Sequence, residues 1–237
     1  MVFNPTRNRQ EGRNVRSSGT RLIGVSLWVV WSVLGVTASG SAQVPQYSKE
    51  GFYVGLSIPY VSMGHDFDGD TALVGANDLV LVPEVDGDFG LGVSVGMRSA
   101  GASFELNYIK SSHEATVAGF PFDVEYQQIG FDVRVLHGRQ EAQPYFLFGL
   151  FFPELVLKDG SITTGGSIGD ASYRGFGGDL GAGLLYHLHP RFALDFGVLY
   201  RVALFGSAKG AAGSRETLEE DLLGGGLGMT IGATFTF

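Results

Sequence analysis

Charged residues are scarce in this sequence, and those that interrupt its apolar segments have types that could pair with one another. Lys, Arg, Asp and Glu make up 17% of the 237 residues, against about 25% in an ordinary soluble domain. Six of them occupy alternate positions shared with Gly, Ser and Thr: Glu105, Asp132, Arg134, Asp179, Asp195 and Arg201. Carboxylates and guanidinium groups in one confined space must pair, because a buried unpaired charge is costly. We therefore expect an ion-pair network.

A second candidate is an acidic stretch of the types that bind a hard cation. Residues 64–88 contain Asp66, Asp68 and Asp70 in the order Asp-x-Asp-Gly-Asp and contain neither Lys nor Arg. Carboxylate oxygens suit Ca²⁺, but the EF-hand pattern fails because Thr71 stands at the required Gly and Asn77 at the closing Glu. The alternatives are a calcium site at these three aspartates and a solvated acidic loop. No other cofactor is predicted.

A third candidate combines residue types of a hydrolytic site. Ser111, Ser112, His113 and Glu114 follow one another in the sequence. A nucleophile, a base and an acid must meet in space, and sequence neighbours rarely do so. A hydrolytic site and an ordinary polar loop are the two alternatives, and we predict the loop and no enzymatic activity.

The elements that would position these residues are strands. Apolar residues alternate with small or polar ones in seven segments: GFYVGLSIPY, FGLGVSVGMR, ASFELNY, QIGFDVRV, FGGDLGAGLLYHL, FALDFGVLYR and LGMTIGATFTF. A period of two is expected of strands with one apolar face. An eighth segment, PYFLFGLFF from Pro144 to Phe152, is apolar at every position, so its facing stays open. We predict eight strands.

The connections between these strands alternate in length. Ser99–Gly101, Gly138–Gln143 and His189–Pro190 are short, whereas Met63–Gly87, Ser111–Pro121, Asp159–Ala171 and Phe205–Leu223 are predicted to be long loops. Short turns at one end and long loops at the other indicate an antiparallel up-and-down meander. Within the last loop, ETLEEDLL predicts a short surface helix, because Thr217 and Glu220 fit a capping box.

The alternating pattern fits both a soluble barrel with an apolar interior and a membrane barrel with an apolar exterior. The face of the strands opposite the apolar one distinguishes the two. A water-facing exterior normally carries many Lys and Glu residues, but this face is mainly Gly, Ser and Thr. Aromatic residues fall at both ends of the apolar face, with Phe52 and Phe235 at the short turns and Phe89 and Tyr200 at the long loops. Two aromatic girdles are typical of membrane barrels. We therefore predict an all-β, eight-stranded antiparallel up-and-down transmembrane β-barrel, rather than a soluble barrel with an apolar interior.

The N-terminus has the features of a targeting segment. A basic region is followed by the apolar run from Leu22 to Val36 and by small residues up to Ala42. The run is shorter than the ~18–20 residues of a spanning helix. We predict a cleaved signal peptide at 1–42 rather than an anchor helix, a short periplasmic segment at 43–50 and the barrel at 51–237. Removal of 1–42 leaves 11 basic and 23 acidic residues, a net charge of −12, which argues against nucleic-acid binding.

The segments GFYVGLSIPY, ASFELNY and GFGGDLGAGLLYHLHPRFALDFGVLYR, with the closing GMTIGATFTF, resemble the small outer-membrane β-barrel domain family of Gram-negative bacteria. That family includes the OmpA membrane domain, OmpX and OmpW. The resemblance implies location in the bacterial outer membrane, contact with its lipid and lipopolysaccharide, and insertion by the barrel-assembly machinery. It also implies that a C-terminal signal read by that machinery lies at Ile231, Ala233, Phe235 and Phe237.

Fold does not determine function, so the sequence is compatible with two main functions. The first is a non-enzymatic barrel with a structural or surface-interaction role, a lumen plugged by paired charges, and acidic loops outside the cell; a very small gated pore is its open variant. The second is an OmpW-like conduit for small apolar molecules, which needs an apolar lumen. The facing of Phe146 and Phe148 against Tyr145 and Leu147 would discriminate them. A lipid A enzyme is the third class.

Overall fold

The computed structural model describes residues 49–69, 71–74, 78–138, 140–213 and 215–237. These residues form strands and connections only. The strands are β1 (Gly51–Val61), β2 (Gly64–His65), β3 (Thr71–Val74), β4 (Asp78–Leu81), β5 (Glu84–Val85), β6 (Asp88–Arg98), β7 (Ala102–Val117), β8 (Phe120–Leu136), β9 (Ala142–Thr163), β10 (Ile168–His189), β11 (Phe192–Lys209) and β12 (Arg215–Thr236). Among the described residues, no helix is long and apolar enough to cross a membrane.

Eight of these strands close into a ring. The order is β1, β6, β7, β8, β9, β10, β11 and β12, and every neighbouring pair is antiparallel. The ring closes where β12 pairs with β1, from Tyr53 opposite Thr236 to Tyr60 opposite Met229. Closure leaves no unpaired edge in the wall, which a strand structure in a membrane requires. The predicted eight-stranded antiparallel barrel is confirmed.

The outer wall carries a continuous band of apolar side chains, here called the apolar band. Leu56, Leu91, Leu106, Phe131 and Leu227 all point outward and are exposed. The alternate positions on the same strands face the lumen, because successive side chains of a strand point to opposite faces, and many of them are Gly, Ser, Thr or charged residues.

The facing of the eighth segment, which the sequence leaves open, is fixed by its pairing within β9. Phe146, Phe148, Leu150 and Phe152 point outward and are exposed, while Tyr145, Leu147 and Phe151 face the lumen and are buried. Gly149 also faces inward, opposite Asp132 on β8 and Asp179 on β10. This strand therefore contributes both to the apolar band and to the apolar part of the lumen.

Several strands continue well past the apolar band, contrary to the predicted long loops. The segment Ser111–Pro121 is not a loop: β7 and β8 stay paired up to Val117 and Phe120, joined only by Ala118 and Gly119. Both turn residues have positive φ, 49° and 84°, as a tight two-residue hairpin requires. The predicted helix at ETLEEDLL is also wrong, because Arg215–Thr236 is one strand.

The first connection is long, as predicted, but it is structured. β4 adds to the outer part of β9, β5 pairs with β7, and β2 pairs with β12. We call this connection, residues 62–87, together with the parts of β7 to β12 beyond the apolar band, the distal extension.

The described residues belong to one compact unit, which comprises Gln43–Phe237. The predicted signal peptide at 1–42 lies outside the described residues, as does most of the predicted segment 43–50.

Candidate functional site

The lumen contains a buried ion-pair cluster centred on Arg134. Its Nη1 lies 2.6 Å from Asp195 Oδ2, and its Nη2 lies 3.0 Å from Glu105 Oε1. Tyr145 donates its hydroxyl to the second oxygen of Asp195 at 2.7 Å, and Tyr53 donates to the second oxygen of Glu105 at 2.9 Å. Both carboxylates are thus satisfied on both oxygens, as buried charges must be to offset their desolvation.

A second pair lies further along the lumen. Arg201 Nε is 3.3 Å from Asp179 Oδ1, and the guanidinium lies over the Phe151 ring at 5.2 Å. Arg134 lies over the Tyr145 ring in the same way, at 4.9 Å. Two rings of β9 that face the lumen, those of Tyr145 and Phe151, therefore pack beneath guanidinium groups.

Asp132 joins these pairs into one layer. It lies opposite Glu105 in the β7–β8 register and accepts a hydrogen bond from Asn107 Nδ2 at 2.8 Å. Gly149 stands between Asp132 and Asp179, and a Cβ there would clash with the Asp132 carboxylate. The structure thus brings all six sequence-predicted lumen residues together in the interior, and each is buried.

A small cavity lies among these residues. Its volume is about 60 Å³, and Asn107, Asp132 and Arg201 are among the residues that line it.

Apolar residues lie on both sides of the charged layer. Leu136, Tyr145, Leu147 and Leu185 form a buried cluster toward the short turns. Beside that cluster, Gln143 Nε2 donates to the Gly138 carbonyl oxygen at 2.6 Å. The charged layer is therefore separated from the short-turn side by packed side chains.

The other side is covered by the apolar core of the distal extension. Its members come from the first connection and from the far ends of the long strands: Val61, Phe67, Val80, Val82, Val85, Ile109, Ala115, Val117, Val124, Tyr126, Phe151, Leu155, Leu157, Ala171, Tyr173, Ala203, Phe205 and Ala208. Phe67 packs edge-on against Phe205 at 5.1 Å and Tyr173 at 6.0 Å. Tyr173 donates its hydroxyl to the Leu81 carbonyl oxygen at 2.6 Å. The first connection is thus packed into the barrel mouth.

The candidate hydrolytic residues lie on β7 and meet only in part. Ser111 Oγ and His113 Nε2 are 2.7 Å apart, and His113 Nδ1 is 2.8 Å from the Asp86 carbonyl oxygen. Both side chains are buried, whereas Ser112 and Glu114 point outward on the other face of the strand. Burial lowers the pKa of His113. The carbonyl oxygen of Asp86, rather than a carboxylate, therefore orients this histidine, and the pair anchors the first connection to β7.

The acidic stretch is also tied to the barrel. Asp66 Oδ2 accepts the Leu223 amide at 2.8 Å, and the Asp66 amide donates to the Leu223 carbonyl oxygen at 3.0 Å. Asp70 lies outside the described residues. Within the part of the chain that is described, no three acidic or histidine side chains are grouped as metal ligands would be. Calcium at Asp66, Asp68 and Asp70 stays a prediction.

The predicted assembly signal lies at the barrel seam. Ile231, Phe235 and Phe237 point outward and are exposed, and Phe235 and Phe237 pack edge-on at 5.4 Å. The Phe237 amide donates to the Phe52 carbonyl oxygen at 2.9 Å. The seam therefore carries an exposed aromatic pair at the short-turn end.

The residues that sequence reasoning missed are mostly neutral. Tyr53, Tyr145 and Asn107 complete the carboxylate hydrogen bonds in the lumen. A signal for Tyr53 was present, since it lies among Gly and Ser on the polar face of GFYVGLSIPY. Arg98 was missed as well: it is buried and donates to Thr234 Oγ1 at 3.2 Å.

The sequence matches the model of the family described as "Outer membrane protein beta-barrel domain" over residues 31–235. No curated protein matches it. Among solved structures, the chain is similar to Neisserial surface protein A, at 19% identity and a TM-score of 0.44, covering 79% of this chain and 97% of that one. It is also similar to the outer membrane protein OprG from Pseudomonas aeruginosa, at 15% identity and 0.46, covering 81% and 98%. A third is Ail, the attachment invasion locus protein of Yersinia pestis, at 15% and 0.40, covering 80% and 100%.

Proposed function

Because the chain belongs to the family of outer membrane protein β-barrel domains, we propose that it is a non-enzymatic barrel with a closed lumen, whose distal extension forms an interaction surface outside the cell. Its location is the bacterial outer membrane. The proposal rests on one observation above all: the buried Arg134 and Arg201 ion pairs lie between two packed apolar clusters. An eight-stranded barrel is only wide enough for its side chains to fill it.

Conductance in planar lipid bilayers tests the closed lumen. We expect no stable current steps from the folded protein, with insertion verified separately by the heat-dependent mobility of the barrel in gels. A variant in which residues 64–85 are replaced by a short Gly-Ser linker tests where the barrier lies. It should stay silent, because the ion pairs remain in place. Large, stable single channels from the native protein would refute the closed lumen.

A conduit for small apolar molecules is the weaker candidate. The inward facing of Tyr145, Leu147 and Phe151 is the observation in its favour. Two of these rings are covered by guanidinium groups, however, and the lumen cavity of about 60 Å³ is smaller than the ~150 Å³ of a cavity that holds benzene. Both facts support the closed barrel.

The partners follow from this location. Lipid would surround the apolar band, and lipopolysaccharide would surround the base of the distal extension. The net charge of −12 predicted for the chain without residues 1–42 is carried largely by the acidic residues beyond the band. A partner of the distal surface would therefore be a cationic one, or one that binds through divalent cations.

Assembly gives a further test. We expect Phe237→Asp to reduce insertion, because it removes one ring of the exposed Phe235–Phe237 pair beside the strand that closes the barrel. The measurement is the amount of heat-modifiable barrel in the outer-membrane fraction. Phe120→Asp is the control, because Phe120 is an equally exposed aromatic residue at the opposite end of the barrel. Undiminished barrel for Phe237→Asp would contradict the assembly role.

A further inference from the structure

The outer wall carries four cations just beyond the apolar band, here called the cationic half-belt. They are Lys110 on β7, Lys158 on β9, Arg174 on β10 and Arg215 on β12. Of the eleven basic residues that follow residue 42, three are buried in the lumen and these four lie together on the outside. The half-belt therefore holds most of the cations that the distal half of the barrel offers to an external ligand.

Two lysines of the half-belt share one carboxylate. Lys110 Nζ lies 3.3 Å from Glu125 Oε2, and Lys158 Nζ lies 3.9 Å from Glu125 Oε1. Lys158 Nζ also lies 3.4 Å from Asp170 Oδ2. The two lysine side chains stay 52% and 43% exposed, and each ammonium has three N–H donors. Glu125 thus holds two ammonium groups near each other, with donors left for an anion from outside.

Two arginines share a second carboxylate. Arg174 Nε donates to Glu154 Oε1 at 2.7 Å, and Arg215 Nη2 lies 3.6 Å from the same oxygen. Arg215 reaches this position across β11, because its Nη2 also donates to Ser172 Oγ on β10 at 2.9 Å. Among the described residues, the Arg174 guanidinium donates only through Nε, and its side chain is 58% exposed. One carboxylate therefore leaves this arginine pair with a net positive charge and with both Nη groups of Arg174 available.

The lysine pair and the arginine pair are neighbours. Glu125 and Gln127 lie on the same face of β8, and Gln127 is opposite Glu154 in the β8–β9 register. Gln127 Nε2 donates to Glu154 Oε2 at 2.9 Å, which joins the two groups. On the opposite half of the wall, the long-loop ends of β1 and β6 carry Tyr60 and Phe89, which pack edge-on at 5.2 Å. Only one side of the barrel thus combines two positive groups at this height.

The half-belt borders directly on lipid-facing residues. On the outward face of β9, Phe152 gives way to Glu154, and on that of β10, Phe176 gives way to Arg174. A ligand of this surface therefore has acyl chains against the band and anionic groups immediately above them. Ion pairs as exposed as these contribute no more than about 1 kcal/mol each, so they do not prevent the same cations from binding a phosphate.

We propose that the cationic half-belt binds the lipid A part of one lipopolysaccharide molecule through both of its phosphates. Lipid A is an acylated disaccharide with a phosphate at each end. One phosphate lies at Lys110 and Lys158, the other lies at Arg174 and Arg215, and the acyl chains lie against the band below. Phosphate oxygens accept charge-assisted hydrogen bonds from both kinds of cation.

This assignment rests on the proposed function in one respect, the location of lipopolysaccharide around the base of the distal extension. It does not rest on a closed lumen. A barrel that conducts and still binds lipid A through these cations would contradict the closed lumen alone.

Native mass spectrometry of the folded protein in a non-ionic detergent tests the proposal. The probes are diphosphoryl lipid A, monophosphoryl lipid A with the same acyl chains, and phosphatidylethanolamine. EDTA is present, so that divalent cations cannot bridge lipid phosphates to the acidic residues. We expect diphosphoryl lipid A to be retained most strongly and phosphatidylethanolamine least. Equal retention of the two forms of lipid A by the native protein would overturn the proposal, as would tighter binding of phosphatidylethanolamine.

Two double variants separate the two phosphate positions. Lys110→Gln with Lys158→Gln, and Arg174→Gln with Arg215→Gln, should each weaken binding of diphosphoryl lipid A about five- to tenfold, the loss expected when two partly exposed cations no longer contact a phosphate. Heat-dependent gel mobility verifies that each variant is folded.

The matched control removes two cations at the opposite end of the barrel. Lys49→Gln with Arg191→Gln changes the net charge by the same amount, and the two residues are adjacent there, since the Lys49 amide donates to the Pro190 carbonyl oxygen at 2.8 Å. Its binding of lipid A should equal that of the native protein. An equal loss in this control would assign the effect to net charge and overturn the site, and a loss from only one of the two half-belt variants would overturn the two-phosphate arrangement.

Discussion

The apolar band and the distal extension are built from the same strands. Apolar side chains point outward in the band and inward in the extension. In β9, outward Phe148, Leu150 and Phe152 give way to Glu154 and Lys158 on the same face. Inward, Gly149 beside the charged layer gives way to Leu155 and Leu157, which are fully buried. A strand in lipid exposes apolar side chains, whereas a strand in water buries them. The difference shows that the surrounding solvent, and not the strand itself, decides which face is apolar.

The other long strands change faces in the same way. In β7, outward Phe104 and Leu106 are followed by Lys110 and Glu114, while inward Glu105 is followed by residues of the extension core. One hydrogen-bonded sheet therefore supports two cores. The lower core is ionic and enclosed by lipid-facing residues, and the upper core is apolar and enclosed by polar ones.

The largest expected effect comes from breaking the ionic core. Arg134→Met leaves Asp195 and Glu105 buried without their cation, which should cost about 3–5 kcal/mol of unfolding free energy. Lys110→Met breaks a pair whose side chains are 52% and 42% exposed, so it should cost no more than about 1 kcal/mol. Urea unfolding in detergent micelles measures both. Equal costs would show that the lumen pairs are not the stabilising contacts described.

The apolar core of the extension should respond to loss of volume. Leu155→Ala should cost about 2–5 kcal/mol, because a fully buried leucine leaves a cavity. The neighbouring Val156→Ala, on the polar face, should cost much less. Hydrogen exchange should locate the Leu155→Ala loss in the distal extension, with the band still protected. Loss spread evenly over both regions would mean that the two cores are a single unit.

A charge introduced on the outward face of β9, once within the apolar band and once beyond it, tests whether that face passes from lipid into water. Phe148→Arg puts a cation among lipid-facing residues and should cost about 2–4 kcal/mol near the bilayer midplane. Val156→Arg lies on the same face of β9 beyond the band and should change stability by less than about 0.5 kcal/mol. Folding titrations into lipid vesicles compare them. Similar costs at the two positions would place Val156 in lipid too.

The smallest expected effect is a pH dependence confined to the extension. Burial lowers the pKa of His113 despite the nearby charge of Asp88, so below the ordinary value of about 6.5 the opened state binds the proton more readily. Stability from this group is complete above that pH and is lost as the pH falls toward the lowered value. Exchange of the Asp86 amide, which donates to the Glu114 carbonyl oxygen, should become faster at low pH after correction for intrinsic rates. His113→Gln should remove the dependence, and a dependence that persists in this variant would assign it to another group.

The lipid-facing part of the fold was predictable because, along most of its strands, outward apolar residues alternate with inward small or charged ones. Alternation identified seven of the eight barrel strands, and the eighth, PYFLFGLFF, was recognisable only as an apolar segment of strand length. Beyond the band the outward residues are polar, so Ser111–Val117 had the composition of a loop. His113, Ala115 and Val117 nevertheless occupy alternate positions that point inward and are buried. At ETLEEDLL the local capping pattern was overridden by pairing with β11, for example Thr217 with Ser207.

The candidate site was predictable in its charges and not in its contacts. Glu105, Asp132 and Arg134 were recognisable as charges on a small-residue face. The partners depend on the stagger of the strands around the barrel, which places Asp195 against Arg134 although the two residues are on strands far apart in the ring. Alternation within one strand carries no information about that stagger.

The chain contains no cysteine, so single introduced cysteines can show where the outward face of β9 passes from lipid into water. Single cysteines at 148, 150, 152, 154, 156 and 158 on the outward face of β9, each carrying a nitroxide, can be compared in lipid vesicles for collisions with oxygen and with a water-soluble nickel complex. We expect oxygen-dominated collisions up to 152 and nickel-dominated collisions from 154 onward. Oxygen-dominated collisions as far as 158, or nickel access at 148, would contradict this expectation.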